Sequence, residues 1–103
     1  MRKTNDFKKE YKLMLDTWGK ESQINMCIEE MAELTKALCK YKRLQKFDEK
    51  DVEKINSNLE NIKEEVADVL NTVEQLLYMF GCDEINDIRK QKVSRAMKKI
   101  ISV

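Results

Sequence analysis

Two short acidic motifs, Glu29-Glu30-Met31-Ala32-Glu33 and Glu64-Glu65-Val66-Ala67-Asp68, lie within otherwise apolar, helix-forming stretches. Glu30 and Glu33 are three residues apart, as are Glu65 and Asp68. On a helix each pair therefore projects from one side, with carboxyl groups close enough to share an ion. Hard oxygen donors in a chain without histidine suit a cation that keeps waters for a phosphate substrate. That chemistry selects magnesium, or manganese in its place.

The helix faces sharpen this reading. At about 100° per residue, the solvated wedge of the first acidic helix holds Glu29, Lys36, Lys40 and Arg43. Glu30 and Glu33 fall mostly outside it, toward the sector of Met26, Ala37 and Leu44, and the matching sector of the second helix holds Glu65, Asp68, Thr72 and Met79. Carboxylates gathered there repel one another and lose solvation, so they either take up protons or are neutralised by a cation. One E-x-x-E motif alone is weak. Two, on amphipathic helices where Ala32 and Ala67 permit close approach, are how bundle cores assemble metal sites. Ion pairing with Lys36, Lys40 or Lys63 is the competing account.

The elements that must position these groups are all helical. Proline is absent, glycine occurs only at Gly19 and Gly81, and no stretch reads as a strand. Thr4, Asn5 and Asp6 are cap-type residues before a first helix with Phe7, Tyr11, Met14, Leu15 and Trp18 on one stripe, ended by Gly19. Ser22 is the expected cap of a second helix striped by Ile24, Cys27, Ile28, Met31, Leu34, Leu38 and Tyr41. Residues from about Leu44 to Asn58 read as a short helix or extended loop, with Asp48 a possible cap and Asn56-Ser57-Asn58 a weak break. A third helix is expected over Leu59 to Phe80, capped by Gly81. A fourth starts at Asp83 and turns Ile85, Ile88, Ala96, Met97 and Ile100 inward.

The expected fold is thus an all-α four-helix bundle, one domain over residues 1–103, small enough that a homodimer or homotetramer would complete its core. Net charge is +1, which gives no long-range attraction to a membrane or to a nucleic-acid polymer. The beginning of the chain is charged and lacks an apolar leader segment, and no run reaches the length of a membrane span, so a cytoplasmic location is expected. Cys27, Cys39 and Cys82 follow no C-x-x-C spacing and read as reduced thiols. Basic residues crowd Arg89 to Lys99. A solvated helix face is the plainer reading of that cluster.

The order E-E-x-x-E then E-x-x-D resembles the MazG-like branch of the all-α nucleoside triphosphate pyrophosphohydrolases, a superfamily that also holds dimeric dUTPases and phosphoribosyl-ATP pyrophosphohydrolase. Trp18-Gly19 and Gln23 ahead of the first motif, Ala32-Glu33-Leu34 and Ala37-Leu38 at its end, and Glu64 to Leu70 continuing to Gln75-Leu76 extend the likeness, which spans roughly Trp18 to Arg95. The chain departs from the pattern in the 31 residues between Glu33 and Glu65, a longer interval than is usual there, which bears on substrate choice.

The resemblance implies magnesium-dependent cleavage between the α and β phosphates of a nucleoside triphosphate, giving the monophosphate and pyrophosphate. Glu30, Glu33, Glu65 and Asp68 would be the metal ligands. Glu29 would orient the attacking water or accept its proton, a role that competes with a place on the helix surface. Lys92 and Arg95 would meet phosphate oxygens. Trp18 is a candidate to stack on a base, against its alternative as core, while Asn71 and Gln75 are candidates to read a base or sugar edge. From a different class, a non-catalytic helical interaction module would use the acids in interhelical ion pairs and bind no magnesium.

Overall fold

In the computed structural model, residues 7–102 are described, and they form four α-helices with no strand among them. These are α1 (Lys8–Trp18), α2 (Lys20–Lys46), α3 (Val52–Phe80) and α4 (Cys82–Ile101). The centre is a hairpin of α2 and α3, each about 40 Å long at 1.5 Å per residue. α1 packs against both, whereas α4 touches α3 alone. The expected caps at Thr4, Asn5 and Asp6 lie outside the described residues.

The segment from Leu44 to Asn58 is neither a separate helix nor an extended loop. α2 runs on to Lys46 and α3 begins at Val52, leaving a tight connection. Asp48 turns it with φ 52°. The Asp48 N–H donates to the Gln45 carbonyl at 3.1 Å and the Glu49 N–H to the Leu44 carbonyl at 2.9 Å, the paired bonds that close a helix C-terminus through a left-handed residue. The N-cap of α3 is Asp51, whose carboxylate accepts from the Glu53 and Lys54 amides. At the other boundaries Gly19, rather than Ser22, precedes α2, and Gly81 precedes an α4 that begins at Cys82 rather than Asp83. Both glycines have positive φ, 88° and 114°, which a side chain rarely tolerates, so each sets a sharp break between helices.

The α2–α3 seam follows alternating three- and four-residue steps, as in a coiled coil: Gln23, Cys27, Glu30, Leu34 and Ala37 on one helix, Asn58, Ile62, Glu65, Val69 and Thr72 on the other. Two hydrogen bonds fix its antiparallel register. Gln23 Nε2 donates to Gln75 Oε1 at 2.8 Å, and Asn58 Nδ2 donates to the Ala37 carbonyl at 3.2 Å. The most buried positions are therefore mainly polar or small: Gln23, Asn58, Thr72 and Gln75 alongside Tyr11, Cys27 and Ala37. Asn58, expected in a break, is instead locked in the seam.

Several residues expected on inward stripes are exposed, among them Ile28, Leu38, Leu59, Val66 and Leu70. α4 buries no residue, so Ile88, Ala96, Met97 and Ile100 do not face inward within one chain. Among the described residues no helix is long and apolar enough to cross a membrane. The three thiols are free, with Cys27 buried, Cys39 exposed and Cys82 between.

Candidate metal centre

The two hydrogen bonds that set the register place the first motif opposite the second. Gln23 precedes Glu30 by seven residues on α2, and Asn58 precedes Glu65 by seven on α3. Each is two helical turns, about 10 Å, so the acids meet midway between the buried carboxamides. There Glu30, Glu65 and Asp68 each offer a carboxylate oxygen, all within 4.8 Å of one another. Glu30 and Glu65 are half-buried, and Asp68 stands at the open side.

Carboxylates gathered this closely raise the proton affinity of Glu30 and Glu65. Burial above all, followed by the hydrogen bond and charge of Asp68 and the charges of Glu65 and Glu33, pushes the Glu30 carboxyl above its ordinary value. Burial also leads for Glu65, followed by the charges of Asp68 and Glu33. No lysine or arginine relieves the cluster. Lys50 pairs with Asp48, Lys54 with Glu49 and Lys63 with Glu60, so Lys63, one of the lysines of the ion-pairing account, is engaged away from the acids. A cation-free group of hard anionic donors drawn from two helices fits a divalent metal by number, charge and type.

Glu33, the fourth expected ligand, is exposed and stands outside the 4.8 Å group, although its charge reaches both Glu30 and Glu65. Glu29 is exposed, on the flank away from the seam. Asn71 is already engaged: its Oδ1 accepts from the Tyr11 hydroxyl at 2.9 Å, and Tyr11 also donates to Glu74 at 3.1 Å. Gln75 is not free to read a ligand edge, since it is buried against Gln23. Trp18 is 58% exposed at the end of α1, which removes its alternative as a core residue. Lys92 and Arg95 are exposed on α4, and Arg95 lines a shallow surface depression with Lys90, Ser94 and Lys98 of the same helix. Within this chain, nothing carries them to the acids.

Sequence reasoning missed the network around Tyr11 and the carboxamide pair. The signal was present in the seven-residue spacing of Gln23 from Glu30 and of Asn58 from Glu65, which puts all four on one seam. Gln23 Oε1 and Asn58 Oδ1 are buried with no hydrogen-bond partner, so the seam is polar beyond what its own bonds satisfy. In comparisons with protein-family models, with curated proteins and with solved structures, nothing matches this chain.

Proposed function

We propose that the protein is a metal-dependent nucleotide pyrophosphohydrolase, cleaving a ribo- or deoxyribonucleoside triphosphate to the monophosphate and pyrophosphate. The observation that carries this reading is the convergence of Glu30 with Glu65 and Asp68 from two helices, without a cationic side chain. Such a set has a reason to exist if it holds magnesium, or manganese, and the order of its motifs resembles that of enzymes acting on nucleoside triphosphates.

In this reading Glu30 and Glu65 hold the ion from opposite helices, and Asp68 completes the set at the open side. Glu33, the fourth expected ligand, would add its charge to the negative field of the set. Magnesium held by Glu30, Glu65 and Asp68 would supply Lewis-acid stabilisation of phosphate charge and activation of a water. Glu29 remains the candidate to orient the attacking water or accept its proton. Lys92 and Arg95 remain the basic candidates for phosphate.

The test is pyrophosphate release from a panel of nucleoside triphosphates with and without magnesium, comparing the natural protein with Glu65→Gln and Asp68→Asn. Magnesium-dependent release that falls at least about 100-fold in both variants, the scale on which a lost charge-stabilising contact acts, supports the site. A second reading, a non-catalytic interaction module, draws on the exposed apolar residues of α2, α3 and α4. It predicts no release and no heat of magnesium binding.

A further inference from the structure

Beside the Asp48 turn, α2 and α3 part around a cleft of about 470 Å³, lined by Tyr41, Leu44 and Gln45 from one helix and Ile55, Asn58 and Leu59 from the other. It is separate from the acidic site. Asn58 precedes Glu65 by seven residues, two helical turns or about 10 Å. By helical geometry Ile55 and Leu59 lie to one side of the packed seam, whereas Asp68 lies to the other. The cleft therefore leans toward the face opposite the carboxylates.

Asn58 sets this cleft apart from an ordinary apolar groove. The residue is 2% exposed. Its Nδ2 donates to the Ala37 carbonyl at 3.2 Å, and because a carbonyl only accepts, that bond fixes which way the carboxamide is turned. Oδ1 is the polar atom left over, buried without a hydrogen-bond partner among the described residues. Buried acceptors are nearly always paired, so an orphan in the lining of a cleft points to a donor brought from outside. The volume falls within the range of small-molecule sites, about 300–1,000 Å³, and far exceeds the ~30 Å³ share of a single water.

The chemistry of the lining selects the ligand. Asp48 and Glu49 at the rim are already paired, with Lys50 at 2.9 Å and Lys54 at 3.5 Å, so they do not call for a cation. Leu44, Ile55 and Leu59 offer apolar walls, and the ring of Tyr41 a flat one. The Tyr41 hydroxyl accepts from Gln45 Nε2 at 3.0 Å and keeps its own proton to give. We propose that the cleft binds a neutral aromatic or heteroaromatic ring bearing a carboxamide or lactam, its N–H donating to Asn58 Oδ1. An acceptor-only atom requires a donor on the ligand, and apolar walls require a body that loses little by leaving water. A carbonyl beside the donor suits the Tyr41 hydroxyl. Such a ligand touches both helices and holds the loop end of the hairpin closed, with no part taken by the acids or by catalysis.

Benzamide is the probe, titrated into the isotopically labelled whole chain and followed by NMR. It should shift the Asn58 side-chain amide and the backbone amides of Tyr41 and Leu59 saturably. Methyl benzoate keeps the ring and the carbonyl but has no N–H, and should bind about tenfold more weakly, the upper end of what one neutral hydrogen bond contributes. Leu59→Trp fills the mouth while leaving the bond from Asn58 to Ala37, and should abolish the shifts. Asn58→Leu should weaken benzamide to the level of methyl benzoate at unchanged helicity by circular dichroism; if helicity falls, Leu59→Trp and the ester carry the test. Absence of saturable shifts, equal affinity for the ester, or shifts that persist in Leu59→Trp would each overturn the proposal. So would shifts at the same residues on raising protein concentration without benzamide, since a second copy would then occupy the cleft.

Discussion

Glu30, Glu65 and Asp68 hold negative charge where it is unfavourable, and that makes the site testable without any assay of turnover. The burial and mutual repulsion that raise the Glu30 and Glu65 carboxyls act against the metal-free fold. Glu65→Gln keeps the side-chain volume and removes one charge. We expect it to raise the melting temperature of the metal-free protein and to abolish the further rise that magnesium gives the natural one. A variant that melts lower without metal would show that Glu65 is serving as a needed structural partner. Tyr11 offers a second residue-scale test. Burial, then its hydrogen bond to Glu74, pushes its phenol up to about 12. A phenol raised in the fold contributes stability that is complete below its unfolded value near 10 and is lost as pH rises through about 12. Tyr11→Phe should cost about 0.5–1.5 kcal/mol near neutral pH and flatten the fall in stability over that alkaline window, read by denaturant unfolding at stepped pH.

At the scale of elements, the α2–α3 hairpin is held in register by polar contacts more than by a large apolar core. Gln75→Leu leaves Gln23 Nε2 buried and unpaired, beside an Oε1 that already lacks a donor. It should cost about 1–3 kcal/mol. Adding Gln23→Leu removes the stranded group and should recover most of that loss, a coupling that a double-mutant cycle in urea measures directly. Equal and additive losses would mean that the pair does not act through its hydrogen bond. Helix existence and order were legible from stripes, glycines and the absence of proline. The extent of α2 and α3 was not, because Lys, Gln, Glu and Asn from Leu44 to Asn58 look like a loop when composition is weighed alone. Their helicity comes from the tight Asp48 turn and the Asp51 cap, both tertiary in consequence though local in chemistry. Gln23 and Asn58 hid for a related reason, since a search for apolar stripes passes over polar residues at seam positions.

Over the whole molecule, the exposed stripes explain why α4 was expected to face inward and does not do so within one chain. Its amphipathic pattern was read as an inward face, but a pattern does not say which neighbour, if any, stands against it. The same holds for Lys92 and Arg95: their spacing on one helix was legible, their distance from the acids was not, because it depends on the angle taken at Gly81. If assembly supplies the missing burial, folding is coupled to concentration. The melting temperature should rise steadily with protein concentration in the natural protein and be independent of it in a Val93→Glu, Met97→Glu variant. A melting temperature indifferent to concentration in both would contradict that coupling.

The measurement that reaches furthest is magnesium titration by calorimetry alongside pyrophosphate release, on the natural protein and on Asp68→Asn, whose side chain sits at the open edge of the acidic set where substitution disturbs packing least. The account predicts a saturable heat and nucleotide-dependent release in the natural protein, both lost in the variant with the helical signal intact. Magnesium binding and release that survive in Asp68→Asn would contradict the assigned centre, and a natural protein that neither binds magnesium nor releases pyrophosphate from any nucleoside triphosphate would contradict the enzymatic reading itself.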